Sequence, residues 1–70
     1  MSFGQRLRAA LDMSGIPHGE FARRIGMNNT HLSHLLSERR RPQFETLAAI
    51  VEALPHIDAR YLLTGKRQGR

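Results

Sequence analysis

Apolar residues along this chain recur at intervals of three and four. Phe3, Leu7, Ala10 and Leu11 stand at i, i+4, i+7 and i+8, which places them on one face of a helix over about residues 2–13. Ser14-Gly15-Ile16-Pro17 ends that helix, because glycine accepts the left-handed position after a helix end and proline cannot continue the turn. A second helix is predicted over 18–25, with Phe21, Ala22 and Ile25 turned inward, and Gly26 closes it. Asn28 is a good N-cap, and a third helix follows to about Ser37 with Leu32, Leu35 and Leu36 as its apolar face. A fourth, over 44–53, is expected to bury Phe44, Leu47, Ala48, Val51 and Leu54, with Pro55 behind it. Asp58 caps a last short helix bearing Tyr61, Leu62 and Leu63, which Gly65 ends. Tyr61 is expected in the core or at a dimer interface.

No stretch alternates with the period of two that marks a strand, and there is no internal repeat. The expected fold class is all-α: five short helices around one core, residues 1–65, followed by a basic, disordered tail over 66–70. With 70 residues, the chain supports one small domain that buries about 60% of its unfolded surface.

The third helix carries the most information. At about 100° per residue, its three leucines cluster on one side. Asn29, Thr30, Ser33, His34 and Ser37 fall in the opposite arc, with His31 at its edge. That arc is short, uncharged and full of hydrogen-bond groups, and the run Arg39-Arg40-Arg41 follows it directly. Charge sharpens the contrast. Lys plus Arg is 11 against 6 for Asp plus Glu, a net +5, and all but one of the basic residues are arginine. Such a balance suits a polyanion, and arginine suits phosphate best.

Residues 18–37 have the spacing of two helices meeting at a steep elbow. Ala22 is small enough for close approach, Gly26 supplies a positive φ in the turn, and Phe21, Ile25, Met27, Leu32 and Leu35 fill the corner. This is the helix-turn-helix pattern. On FARRIGMNNTHLSHLL, then Pro42, then ETLAAIVEAL and RYLLTG, the chain resembles the lambda-repressor/Cro-type, or Xre-like, helix-turn-helix domains. The resemblance runs from Phe3 to Gly65. It implies a compact five-helix lambda-repressor-like DNA-binding domain, typically dimeric and engaged in transcription control. Three positions depart from the family pattern. His18 stands where glutamine is usual, Pro17 replaces the Ser or Thr cap, and Glu38 occupies the position of a glycine after the third helix.

The chemistry of the third helix agrees with that implication. Base edges in the major groove offer donors and acceptors that amides, hydroxyls and imidazoles read selectively, whereas phosphates call for cations at the rim. Asn29, Thr30, Ser33 and His34 are the expected base contacts. His18, Arg23, Ser37, Arg39, Arg40 and Arg41 are the expected phosphate contacts, with Arg24 a further rim candidate. Free amides at the starts of the second and fourth helices serve the same phosphates. The expected partner is double-stranded DNA, bound by a homodimeric regulator, in the first instance a repressor, on a pseudo-palindromic operator with half-sites roughly 34 Å apart. The competing reading is an antitoxin-like or adaptor module that uses the same helices on protein. An apolar patch left over on the fourth or fifth helix would favour it.

Other chemistries find little support. His18, His31 and His34 lack the thiolates or placed carboxylates of a metal site, so no metal is expected. Asp12, Glu20, Glu45 and Glu52 read as helix-surface charges, and no catalytic constellation appears, so the chain is not expected to be an enzyme. There is no effector domain, hence no expected small-molecule ligand or cofactor. Without cysteine or an apolar run near the roughly 18 residues of a membrane span, a cytoplasmic location is expected. The LLTG ending and basic tail fit either a complete small regulator or the first part of a longer one.

Overall fold

A computed structural model describes residues 1–67. The five helices are α1 (Phe3–Ser14), α2 (His18–Arg24), α3 (Asn29–Leu36), α4 (Phe44–Ala53) and α5 (Ala59–Thr64), with no strand among the described residues. The predicted boundaries hold to within a residue or so. Their ends show why. Ser2 and Gln5 form a reciprocal capping box at the start of α1, filling two amides that a helix leaves without partners. Asn28 Oδ1 accepts from the His31 amide at 2.7 Å, and Asp58 accepts from the amides of Arg60 and Tyr61. Gly15 and Gly65 close α1 and α5 in the left-handed conformation.

α1 packs on α3 and α5, and α2 packs on α3. Their shared interior is Leu7, Leu11, Phe21, Leu32, Leu35, Ile50, Leu54 and Leu62, all fully buried, with Ala10, Ala22 and Leu36 beside them. Ile25 and Met27 lean against this core from the elbow. The turn itself passes through Gly26 at φ +76°.

The fourth helix corrects the sequence reading. Phe44 was expected inside, yet it is 77% exposed. Ala48 is also exposed, and Leu47 and Val51 are only half-buried. Ile50 takes the place expected of them, with Leu54. The helix is apolar around most of its circumference, interrupted only by Glu45, Thr46 and Glu52. Periodicity therefore left its rotation open, and the buried side lies roughly 80° from the predicted one. Leu63, expected to share the apolar face of α5, is 40% exposed.

Arg6 is the other surprise. It is a charged residue within the amphipathic α1, yet only 9% of it is accessible. Its guanidinium donates to the carbonyls of Leu62 at 2.9 Å, Leu63 at 3.3 Å and Met1. A cation thus sits where the last turn of α5 leaves its carbonyls unpaired. Gly4 lets α1 lie against the end of α3, since a methyl group there would collide with the Leu36 carbonyl. The Gly4 amide donates to the Glu38 carboxylate, so Glu38 ties the start of α1 to the exit from α3. Glu38 keeps the left-handed backbone of the glycine it replaces, at φ +68°.

Of the tail expected over 66–70, Lys66 and Arg67 are described. The Arg67 guanidinium lies 4.4 Å from the centre of the half-buried Tyr61 ring, a cation–π arrangement. The expectation for residues 68–70 lies outside the described residues.

Candidate nucleic-acid interface

The surface in question is built on α3. Its leucines at 32, 35 and 36 are buried in the core, and this fixes the rotation of the helix. With that side locked, Asn29, Thr30, Ser33 and Ser37 are exposed, and His31 and His34 are half-buried. No residue of α3 carries a carboxylate, a lysine or an arginine. The strip predicted from the helical wheel is therefore on the surface, and three buried leucines set its direction. Asn29 lies close over α2, its amide about 3.5–3.6 Å from where a side chain on Gly19 would begin. The absence of a side chain at Gly19 gives Asn29 room at the mouth of the elbow.

Among the expected rim residues, the structure gathers some and separates others. His18 opens α2 and is half-buried, behind Pro17, which offers no side-chain cap. Arg23 is 80% exposed and meets Glu20 at 3.5 Å, and Arg24 reaches the same carboxylate at 3.2 Å. Exposed pairs of this kind contribute little, about 0–1 kcal/mol, so Arg23 is readily available to another anion. Ser37 ends α3 and its hydroxyl reaches the His34 carbonyl at 3.4 Å.

The arginine run divides. The amides of Arg39 and Arg40 both donate to the His34 carbonyl, at 2.9 and 3.3 Å, so the chain doubles back at the end of α3. Arg40 in consequence lies alongside the helix, where it lines a notch of about 250 Å³ with Asn28, Thr30, His31 and His34. Arg41 turns the other way. It lines a separate hollow with Phe3, Glu38, Pro42, Leu47 and Leu63. Arg40 and Arg41 thus do not share one patch. Sequence reasoning placed all three at the rim and missed His31 as a companion of Arg40. The i, i+3 spacing of His31 and His34 was a signal, but nothing in the sequence showed that Arg40 folds back to join them.

Gln43 precedes α4 at the N-cap position but makes no side-chain cap, and Glu45 stands in the first turn of the helix. Its leading amides are free for an anion, although Glu45 disfavours one nearby. Among the described residues no group of histidines and carboxylates is placed to hold a metal ion, and no helix is long and apolar enough to cross a membrane.

Comparison with known proteins places this geometry. The P22 c2 repressor, in a crystal structure of its complex with synthetic operator 9T, superposes with a TM-score of 0.83 over 94% of this chain and 98% of its own, at 27% identity. The restriction-modification controller protein C.AhdI from Aeromonas hydrophila gives 0.78 over 87% and 91%, at 24% identity. The N-terminal DNA-binding domain of SinR from Bacillus subtilis gives 0.74 over 97% and 96%, at 19% identity. The latter two bear on the fold alone. Comparison with curated proteins gives no match. The helix-turn-helix family matches residues 7–62, and on that match, with the five-helix architecture, the chain belongs to the helix-turn-helix family in its lambda-repressor-like, or Xre-like, form.

Proposed function

We propose that this chain is a sequence-specific, double-stranded-DNA-binding transcription regulator that acts as a repressor and reads the major groove with α3. One observation carries the reading. Among the described residues, α3 alone joins three buried leucines to an exposed, uncharged strip of amide and hydroxyl groups, and exposed arginines begin three residues beyond its end. Asn29, Thr30, Ser33 and His34 supply hydrogen bonds to base edges, where an asparagine pairs with adenine through two bonds. Arg23, Arg39 and Arg40, with His18 and Ser37, hold the backbone. Arg41 is the weakest of the phosphate candidates, because it sits over a partly apolar hollow. The chain works as a homodimer, one copy on each half of a pseudo-palindromic site. A repressor of closely similar fold, P22 c2, has been crystallised on a synthetic operator, which supports the same use of the fold here.

The test is selection of bound duplexes from a random pool. Recovered sequences are expected to share an inverted repeat with half-sites roughly 34 Å apart. Binding to the winner is expected to weaken steeply with salt, log K falling by about 0.9 per phosphate neutralised against log salt. A pool that never converges, or binding indifferent to salt, would count against the proposal.

A second reading has its own observation. Phe44 at 77% and Leu63 at 40% exposure leave apolar surface on α4 and α5, and Leu63 lines a hollow with Phe3, Pro42 and Leu47. Exposed apolar surface of this sort marks protein contacts, as in an antitoxin-like or adaptor module. It is compatible with DNA binding on α3, since the two surfaces use different residues. Failure to select any sequence, together with a protein partner lost on Phe44→Ser, would favour this reading over the first.

A further inference from the structure

The notch between α3 and the returning arginine run has a composition that the base-reading role does not explain. Its walls are Asn28, Thr30, His31, His34 and Arg40. They offer a guanidinium, two imidazoles, a hydroxyl and an amide, with no carboxylate and no apolar side chain among them. The Asn28 carbonyl oxygen is already used, accepting from the His31 amide, which leaves its NH2 group as a donor. Every side chain facing the space can donate a hydrogen bond, and Arg40 adds a permanent charge. Such a set fits a small tetrahedral oxyanion.

The position of the notch on the helix matters equally. Counting about 100° per residue, Asn29, Ser33 and Ser37 lie on one side of the polar surface and His31 lies on the other. Thr30 and His34 form the ridge between them. Asn29 leans towards α2, so the notch occupies the opposite flank. A helix seated in the major groove has a phosphate strand along each flank. The backbone bonds that return Arg39 and Arg40 to the His34 carbonyl hold the Arg40 backbone at the end of α3, so the place of the residue does not depend on its side chain alone.

We infer that His31 and Arg40 clamp a single DNA backbone phosphate in this notch. His31 is thereby a binding residue that sets the register of α3, and Arg40 works as its partner. The inference rests on the DNA-binding reading and deepens it, by naming one phosphodiester and the residues that hold it.

The experiment uses the whole chain and its selected duplex, with methylphosphonate replacing one phosphate at a time around the half-site. For the unmodified protein, each contacted phosphate is expected to show a loss of affinity of about tenfold, and the clamped phosphate is one of these positions. At that position alone, the His31→Gln/Arg40→Gln variant is expected to lose less than twofold, because the contact is already gone. Its sequence preference should survive, and its thermal midpoint should stay near that of the parent. Arg40→Lys is expected to restore most of the sensitivity at the same position. If every neutralised phosphate weakens the variant as much as the parent, the clamp does not exist, although DNA binding stands. Inorganic phosphate that competes at constant ionic strength, while the methylphosphonate scan stays flat, shows a free-anion site and also overturns the proposal. Failure to select any duplex removes the underlying reading and this inference together.

Discussion

Arg6→Leu is expected to lower the thermal unfolding midpoint by roughly 12–24 °C. The guanidinium joins three carbonyls, those of Met1, Leu62 and Leu63, and no other described side chain bonds to any of the three. Leucine fills some of the volume but donates nothing. The Leu62 carbonyl is then left buried without a partner, and the part-buried Leu63 carbonyl loses its bond as well. Hydrogen bonds to charged groups contribute about 1.5–3 kcal/mol, and an abandoned buried acceptor costs a similar amount. About 3 kcal/mol is a conservative sum for the site. For a domain of this length each kcal/mol moves the midpoint by roughly 4–8 °C. A circular-dichroism melt decides the matter, and a shift below about 4 °C would mean that α5 is held by its apolar contacts alone. Arg6→Lys should fall between the two, because one ammonium cannot span all three acceptors.

The second large effect concerns affinity. Arg39→Gln and Arg40→Gln together are expected to flatten the salt dependence of DNA binding by about 1.8 in d log K/d log salt, two phosphates at about 0.9 each. At roughly 0.1 M salt the same relation gives about tenfold per contact, hence about 100-fold in affinity for the pair. The loss should be nearly equal on selected and scrambled duplexes, because phosphates carry no sequence information. Arg41→Gln should change the slope far less, since its side chain lies over the hollow of Phe3, Leu47 and Leu63. Fluorescence anisotropy across a salt series measures all three variants. Equal effects from Arg40 and Arg41 would contradict the division of the run that the geometry shows.

Much of the fold was legible in the sequence because its stop signals are local. Gly15, Gly26 and Gly65 stand at positive φ where they were expected, and Asn28 and Asp58 cap the helices they precede. The orientation of α3 was legible as well, since leucines and hydrogen-bonding residues divide cleanly around it. α4 was not. A helix that is apolar on most sides gives periodicity little to choose between, and the packing of Ile50 and Leu54 decided the rotation. Arg6 was illegible for a different reason. Two of its three partners are backbone carbonyls more than fifty residues away, and backbone leaves no signature in side-chain patterns. Glu38 was noticed as a departure from glycine, but its bond to the Gly4 amide depends on how α1 meets the end of α3.

The site follows the same division. Which residues of α3 face outward could be read from spacing, because the core fixes that choice. Which arginine stands beside which residue depends on the path of an irregular segment, and the bonds of the Arg39 and Arg40 amides to the His34 carbonyl set that path. The capping box of Ser2 and Gln5 was readable from sequence in retrospect, since Ser-x-x-Gln at a helix start is its signature.

The central claim is that the neutral strip of α3 discriminates among base pairs, and Asn29→Ala tests it most directly. Affinity is measured for the selected duplex and for a scrambled one at a single salt concentration, with parent and variant side by side. The account predicts that the ratio of the two affinities falls by about 5- to 150-fold, corresponding to about 1–3 kcal/mol for one bidentate contact, while affinity for the scrambled duplex barely changes. A variant that weakens on both duplexes alike, or keeps the parent's ratio, would show that α3 does not read the DNA.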